Sequence, residues 1–409
     1  MMSQITGCRS CGSNALESIL DLGITPIADR LINTRQLSDP EPMYPLVVLF
    51  CNACGLMQIS ETVPPEILFC NDYPYFSSVS DALARHTKQN VEELIETRAL
   101  NASNMVVELA SNDGYLLKYY VQKGIPVLGI DPAEGPARAA ATVGVKTLNT
   151  FFTLDLAQKL ANQGLAADVV HANNVLAHVA DTNGFVEGIR VILRRDGVAV
   201  FEVPYVRDLI EKCEFDTIYH QHLCYFSITA ADHLFKRHGL YLNDVRRIPI
   251  HGGSLRLYVG HREHVQDSVR ALLAEERQLG MDQIHFYRHF ATRVEQLKHE
   301  LRSLLNHLRA RGKSIAGYGA AAKGCTLINY VDIGTDDLTY IADRNTFKHG
   351  KFMSGKKIPI LPVETLVKTM PDYALLLSWN FASEIMEQQA EYQRRGGQFI
   401  LPIPEIRVV

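Results

Sequence analysis

No stretch of this 409-residue chain is both long and apolar enough to cross a bilayer. The longest apolar runs, such as VILRRDGVAVF (Val191–Phe201), are short and broken by charge. The opening MMSQITGCRS lacks the apolar core of a secretory signal, so a soluble, cytoplasmic protein is expected. An excess of one charge is also missing. A formal net charge of −4 gives no electrostatic case for nucleic acid, which needs a concentrated basic patch. The densest basic stretch, RVEQLKHELRSLLNHLRARGK (Arg293–Lys313), reads as the solvated face of a helix. What remains is ordinary globular composition, 47 % hydrophobic and 21 % charged, long enough for two to four domains.

The eight cysteines say more by position than by number, because a reducing compartment disfavours disulfides. Cys8-Arg9-Ser10-Cys11 and Cys51-Asn52-Ala53-Cys54 are two C-x-x-C pairs. Two such pairs can supply the four thiolates of a tetrahedral structural zinc, one knuckle each. The 39 residues between them exceed the usual spacing, but they include strand-like PLVVLF (Pro45–Phe50), which can return the second pair to the first. A redox dithiol is the rival reading. Cys70, Cys213, Cys224 and Cys325 are scattered and read as small buried hydrophobes.

The central segment alternates strand and helix. Met105–Leu109, Ile125–Glu134, Ala167–Val179 and Gly197–Tyr205 are strand-like, and Tyr115–Val121 begins a helix. This alternation predicts a parallel, doubly wound sheet whose ligand sits at the carboxyl ends of its strands. Asn112, Asp113 and Gly114 make a tight turn after the first strand. Asp131 ends the second, where an acid can accept from ribose hydroxyls, and Asn173 and Asn174 end a later one. The turn is not G-x-G-x-x-G, and no pyrophosphate cradle is evident. That favours S-adenosylmethionine (SAM), which has no phosphates, over a dinucleotide.

Beyond a helical stretch at about residues 267–311, KSIAGYGAAAKGCTLINY (Lys313–Tyr330) reads as strand, small-residue turn and helix. LTYIADRN (Leu338–Asn345) and YALLLSWN (Tyr373–Asn380) are further strands. Lys323 at the helix start is a phosphate candidate, since a cation and a helix N-terminus would act together. The loop His251-Gly252-Gly253-Ser254 is either a plain turn or, with Arg256, a second phosphate contact. Most crowded of all is DTIYHQHLCYFS (Asp216–Ser227), with two histidines, two tyrosines and a glutamine.

These pieces, taken in order, resemble the three-domain sugar C-methyltransferases that act on nucleotide-linked keto-deoxysugars. The resemblance rests on the two zinc knuckles, YPYFSSVS (Tyr73–Ser80), VVELASNDGYLL, GIDPAEG, HANNVLAHVAD, YHQHLCYFS and GYGAAAKG, and it spans nearly the whole chain. It implies a zinc-binding domain over 1–75, a class I methyltransferase domain over 76–245 and a Rossmann-like, substrate-binding domain over 246–409. The implied cofactors are SAM and structural zinc. The implied SAM residues are Glu108, Ala110, Ser111, Asn112, Asp113, Gly114, Tyr115, Asp131, Pro132, Asn173 and Asn174. Phe76, Ser77, Ser78, His178 and Lys323 would face the substrate. A monomer acting on a small-molecule nucleotide sugar is expected.

Methylating carbon needs a carbanion equivalent, usually an enolate made by removing a proton alpha to a ketone. Histidine suits the base, with an unperturbed pKa of ~6.5. By the resemblance His222 is that base, with Tyr219, Tyr75 and His220 around the reacting centre. The family pattern there is Tyr-His-Glu-His, and this chain has Gln221 in place of the glutamate. An uncharged amide disfavours an amino-sugar substrate and favours a hydroxyl. It also leaves open a non-methylating reaction through the same enolate, such as epimerisation. A sugar-nucleotide-binding protein on a silenced enzyme is the non-enzymatic reading, disfavoured by intact Asp131, Asn173 and His222.

Overall fold

The computed structural model describes residues 3–69 and 76–409; Cys70 and Tyr75 lie outside the described residues. In the strand Met43–Cys51, alternate residues Leu46, Val48 and Phe50 are buried, as a pleated strand with one face on a core requires. It pairs antiparallel with Leu16–Pro26 and with Met57–Ile59. A fourth strand, Cys224–Tyr225, joins this N-terminal sheet from the middle of the chain, with Cys224 opposite Gln58 and Tyr225 opposite Met57.

The central apolar runs form β1 (Val106–Leu109), β2 (Val127–Ile130), β3 (Thr147–Leu148), β4 (Ala167–Asn173) and β5 (Leu193–Pro204). They pair in parallel in the order β3-β2-β1-β4-β5, and β1 is buried throughout, as a strand covered on both faces must be. A hairpin of β6 (Tyr241–Ile248) and β7 (Ser254–Gly260) completes the sheet, with β7 antiparallel on β5. The order β3-β2-β1-β4-β5-β7-β6 is the class I methyltransferase arrangement. The sheet continues past residue 245: β5 pairs with β7 from Ala199 to Pro204. Chain direction switches sides between β1 and β4, so the ligand crevice lies at their carboxyl ends.

Helices Asp267–Gln278 and Ile284–Ala310 lead into the third domain. The second buries Tyr287, Phe290, Val294, Leu297, Leu301, Leu305 and Leu308, a stripe at helical spacing. Strands β8 (Ile315–Tyr318), β9 (Ile341–Asp343), β10 (Ile360–Pro362), β11 (Tyr373–Leu376), β12 (Gln398–Leu401) and β13 (Arg407–Val408) form a sheet in the order β10-β9-β8-β11-β12-β13. All its pairings are parallel but the last. One hydrophobic cluster runs continuously from Cys8 in the N-terminal sheet to Ile403 in the third domain. No helix among the described residues is long and apolar enough to cross a membrane.

Candidate active site

The sulfur atoms of Cys8, Cys11, Cys51 and Cys54 lie within 4.8 Å of one another. The Sγ–Sγ distances are 3.6 Å for Cys8–Cys54 and 3.5 Å for Cys11–Cys51. A tetrahedron of sulfurs about zinc at ~2.3 Å has edges of about 3.8 Å, so the donors fit the ion. Each knuckle closes in the same way: Gly12 N donates to Cys8 O at 2.8 Å, and Gly55 N to Cys51 O at 2.9 Å. Both glycines have positive φ, 75° and 73°. The four thiolates leave no open coordination position, so this zinc is structural. Cys213, Cys224 and Cys325 are buried free thiols, as expected.

At the crevice, the turn after β1 has positive φ at Ala110 (55°), Asn112 (48°) and Gly114 (75°), and Asn174 after β4 has 54°. Asp131 fixes this turn. Its two carboxylate oxygens accept from Asn112 N and Ala133 N, both at 2.8 Å, and each keeps a lone pair for a ligand. Gly129 allows a close approach: a Cβ there would stand 2.5 Å from Ser111 Oγ. Glu108 Oε2, Ser111 Oγ, Asp113 Oδ1 and both amide atoms of Asn173 are buried with no hydrogen-bond partner among the described residues. Such groups at the carboxyl ends of neighbouring strands suit a polar ligand rich in hydroxyl, amino and carboxylate groups, which SAM is. Burial, with Asp131 and Asp113 nearby, pushes the Glu108 carboxyl well above its usual range, and Tyr115 hydrogen-bonds to it. Pro132 follows Asp131 on the way to the helix Glu134–Thr142.

Residues 77 and 78 bond this turn. Ser77 N donates to Asn112 Oδ1 at 2.9 Å and Ser78 N to Asp113 Oδ2 at 3.1 Å, while the Phe76 ring lies against Gly135. The helix that follows, Asp81–Thr97, is anchored by a cluster that sequence reading missed. His86 Nε2 meets Glu202 Oε1 at 2.9 Å, and Arg256 Nε donates to the same oxygen at 2.7 Å. Burial alone would raise the Glu202 carboxyl, but His86 and Arg256 hold it below its usual range. Arg256 therefore serves the sheet and not a phosphate, and Ser254 Oγ is turned to Ile250 O at 3.1 Å.

The strip Tyr219–His222 is a β-turn. His222 N donates to Tyr219 O at 2.8 Å, so residues at positions one and four of the turn stand side by side. Tyr219 Oη is 3.1 Å from His222 Nε2, with ring centroids 4.1 Å apart. His222 Nδ1 is 2.8 Å from the Thr217 carbonyl, which only accepts, so Nδ1 carries the proton and Nε2 the lone pair that takes the tyrosine hydroxyl. His178 joins them, its ring 4.8 Å from that of His222 and its Nδ1 donating to Gln221 O at 2.6 Å. Burial lowers the His178 pKa and keeps it neutral. Its turn, Leu176–His178, follows β4 and so links the strip to the crevice.

The turn's two corner residues are buried. His220 is buried, with Nε2 at 3.1 Å from Pro45 O in the N-terminal sheet and its ring edge-on to Tyr44, and burial lowers its pKa. Gln221 is 5 % exposed, and its Oε1 has no partner among the described residues.

Lys323 does not stand free at its helix start. Its ammonium donates to Asn380 Oδ1 at 2.6 Å and lies 4.4 Å from the centre of the Trp379 ring. Trp379 Nε1 in turn donates to Asp216 Oδ2 at 2.7 Å. Burial pushes Glu214 up to about 7 and Asp216 up to about 6, partly offset in both cases by Lys323. These carboxyls and the indole, like Glu202, were invisible in the sequence, because each owes its role to a partner far along the chain.

Three family models match the chain in order: "Putative zinc binding domain" over residues 8–69, "Methyltransferase domain" over 82–245 and "C-methyltransferase C-terminal domain" over 249–404. The C-methyltransferase NovU of Streptomyces niveus is 35 % identical over 408 residues, covering 99 % of this chain and 97 % of that protein. Among solved structures, magnesium protoporphyrin IX methyltransferase of Synechocystis PCC 6803 with bound SAM is 14 % identical, covering 43 % of this chain and 78 % of that one, at a TM-score of 0.34. The PH0226 protein of Pyrococcus horikoshii OT3 is 13 % identical over 46 % of this chain and 95 % of its own, at 0.37.

Proposed function

The chain belongs to the zinc-binding, three-part C-methyltransferase family, and on that premise we propose that its SAM-dependent reaction methylates C3 of a nucleotide-linked 4-keto-deoxysugar, dTDP-linked by preference. The observation that carries this reading is the Tyr219–His222 pair, with its tautomer set by Thr217 and a neutral His178 beside it, one short turn from the crevice.

Bound SAM supplies an electrophilic methyl group, held by the turn 110–114, Asp131 and Asn173. The chain's own residues make the nucleophile. His222 Nε2 takes the proton from C3, the electron pair of that C–H bond becomes the C3=C4 double bond, and the carbonyl π pair moves onto oxygen to give the enolate. The Thr217 carbonyl stabilises the imidazolium that forms, as a fixed acceptor does for a general base. Tyr219 releases its hydrogen bond to Nε2 and donates to the enolate oxygen. The segment Phe76–Ser78, bonded to the turn after β1, keeps water from the methyl group. Gln221, a buried neutral amide with an open acceptor, supports a sugar hydroxyl over an ammonium.

The test is direct. Purified protein with SAM and a dTDP-4-keto-6-deoxysugar gives a product one methyl heavier, and in deuterated water the C3 proton exchanges. His222→Ala lowers exchange and turnover at least about a hundredfold while SAM affinity is kept. An isomer without added mass selects epimerisation instead, and exchange that survives in His222→Ala removes His222 as the base.

A further inference from the structure

The Nδ1 proton of His222 is held by the Thr217 carbonyl at 2.8 Å. Thr217 ends the short 3-10 turn Phe215–Thr217, and the third domain grips the residues on either side of it. Before it, the side chain of Asp216, 0 % exposed, accepts the Trp379 indole N–H at 2.7 Å. After it, the Ile218 carbonyl accepts Thr326 Oγ1 at 3.0 Å. Trp379 opens the 3-10 turn Trp379–Phe381 just past β11, and Thr326 lies in the helix Ala322–Val331. The indole is itself held, because Lys323 sits over its ring and bonds the neighbouring Asn380. Two donors from another domain thus bracket the carbonyl that accepts from His222 Nδ1.

We propose that Trp379 and Thr326 are positioning residues, which hold the Thr217 carbonyl and through it fix the ring orientation and tautomer of His222. The inference rests on His222 being the base. Trp379 stands at the carboxyl edge of the third sheet, where a ligand of such a sheet lodges. Substrate seated there therefore bears on the residue that orients the base. A misplaced carbonyl would let the ring turn and swap its protonated nitrogen, and small errors of this kind cost rate more than affinity.

Two substitutions in the full zinc-loaded chain test this. Trp379→Phe keeps an aromatic ring and removes the N–H; Thr326→Val keeps the shape and removes the hydroxyl. Each lowers kcat and C3 exchange, Trp379→Phe by about tenfold or more, with KM and SAM affinity within about twofold of the parent. NMR of the His222 ring nitrogens shows the Nδ1-protonated form losing population in both. Unchanged kcat and tautomer in both variants overturn the proposal, as does a loss confined to KM, which makes Trp379 a substrate contact. Should Trp379→Phe lose SAM binding through misfolding, Thr326→Val decides alone. His222→Ala separates the two readings. If it still exchanges the proton, the base assignment fails; if it is inactive while both variants behave as the parent, only the positioning role fails.

Discussion

Glu214 and Asp216 sit beside the catalytic turn where water hardly reaches them, and their carboxyls are pushed up to about 7 and about 6. An acid whose folded pKa exceeds its unfolded one favours folding fully below the unfolded pKa, and that contribution is lost as pH rises through the folded pKa. Stability therefore falls between about pH 4.5 and pH 7. Glu214→Gln, which stays neutral throughout, flattens that fall by on the order of 2 kcal/mol, measured by denaturant titration across the range. The four zinc cysteines were legible because two C-x-x-C pairs are a local spacing, whereas the role given to His222 came from the family resemblance. Lys323, read as a phosphate candidate at its helix start, is engaged by Asn380 and Trp379 and by the electrostatics of two acids more than a hundred residues away in sequence.

Among the elements, the strip Asp216–Ser227 was read as one crowd of titratable groups. The β-turn sorts it: Tyr219 and His222 face each other, His220 and Gln221 fill the corner, and Cys224–Tyr225 becomes an edge strand of the zinc unit. The alternation in PLVVLF announced its strand, but nothing local told that a strand from residue 224 would pair with Met57–Ile59. The pairing has a consequence. Removing zinc with a chelator loosens the sheet to which the catalytic turn is tied, so turnover falls together with the melting temperature, by roughly 5–10 °C, and both return on adding zinc. A zinc site irrelevant to catalysis would leave turnover unchanged below the new melting point.

The largest hydrophobic cluster runs from Cys8 to Ile403 and links all three domains, with a second cluster on the methyltransferase sheet and a third in the last domain. Trp379 is the single tryptophan and sits where the third domain meets the catalytic turn. Its fluorescence and far-UV circular dichroism should report coincident unfolding transitions, as one cooperative unit requires; separated midpoints would show independent domains. The sequence by itself determined the zinc ligands and the alternating strands and helices, because each is written in short-range periodicity or spacing, and its ordered motifs carried the resemblance to the family. Tertiary structure alone decided that the methyltransferase sheet closes with a strand beyond residue 253, that residues 77 and 78 bond the turn after β1 and that a tryptophan from the third domain donates to Asp216. Those outcomes depend on which distant surfaces can bury each other and satisfy each other's hydrogen bonds, and no local pattern encodes them.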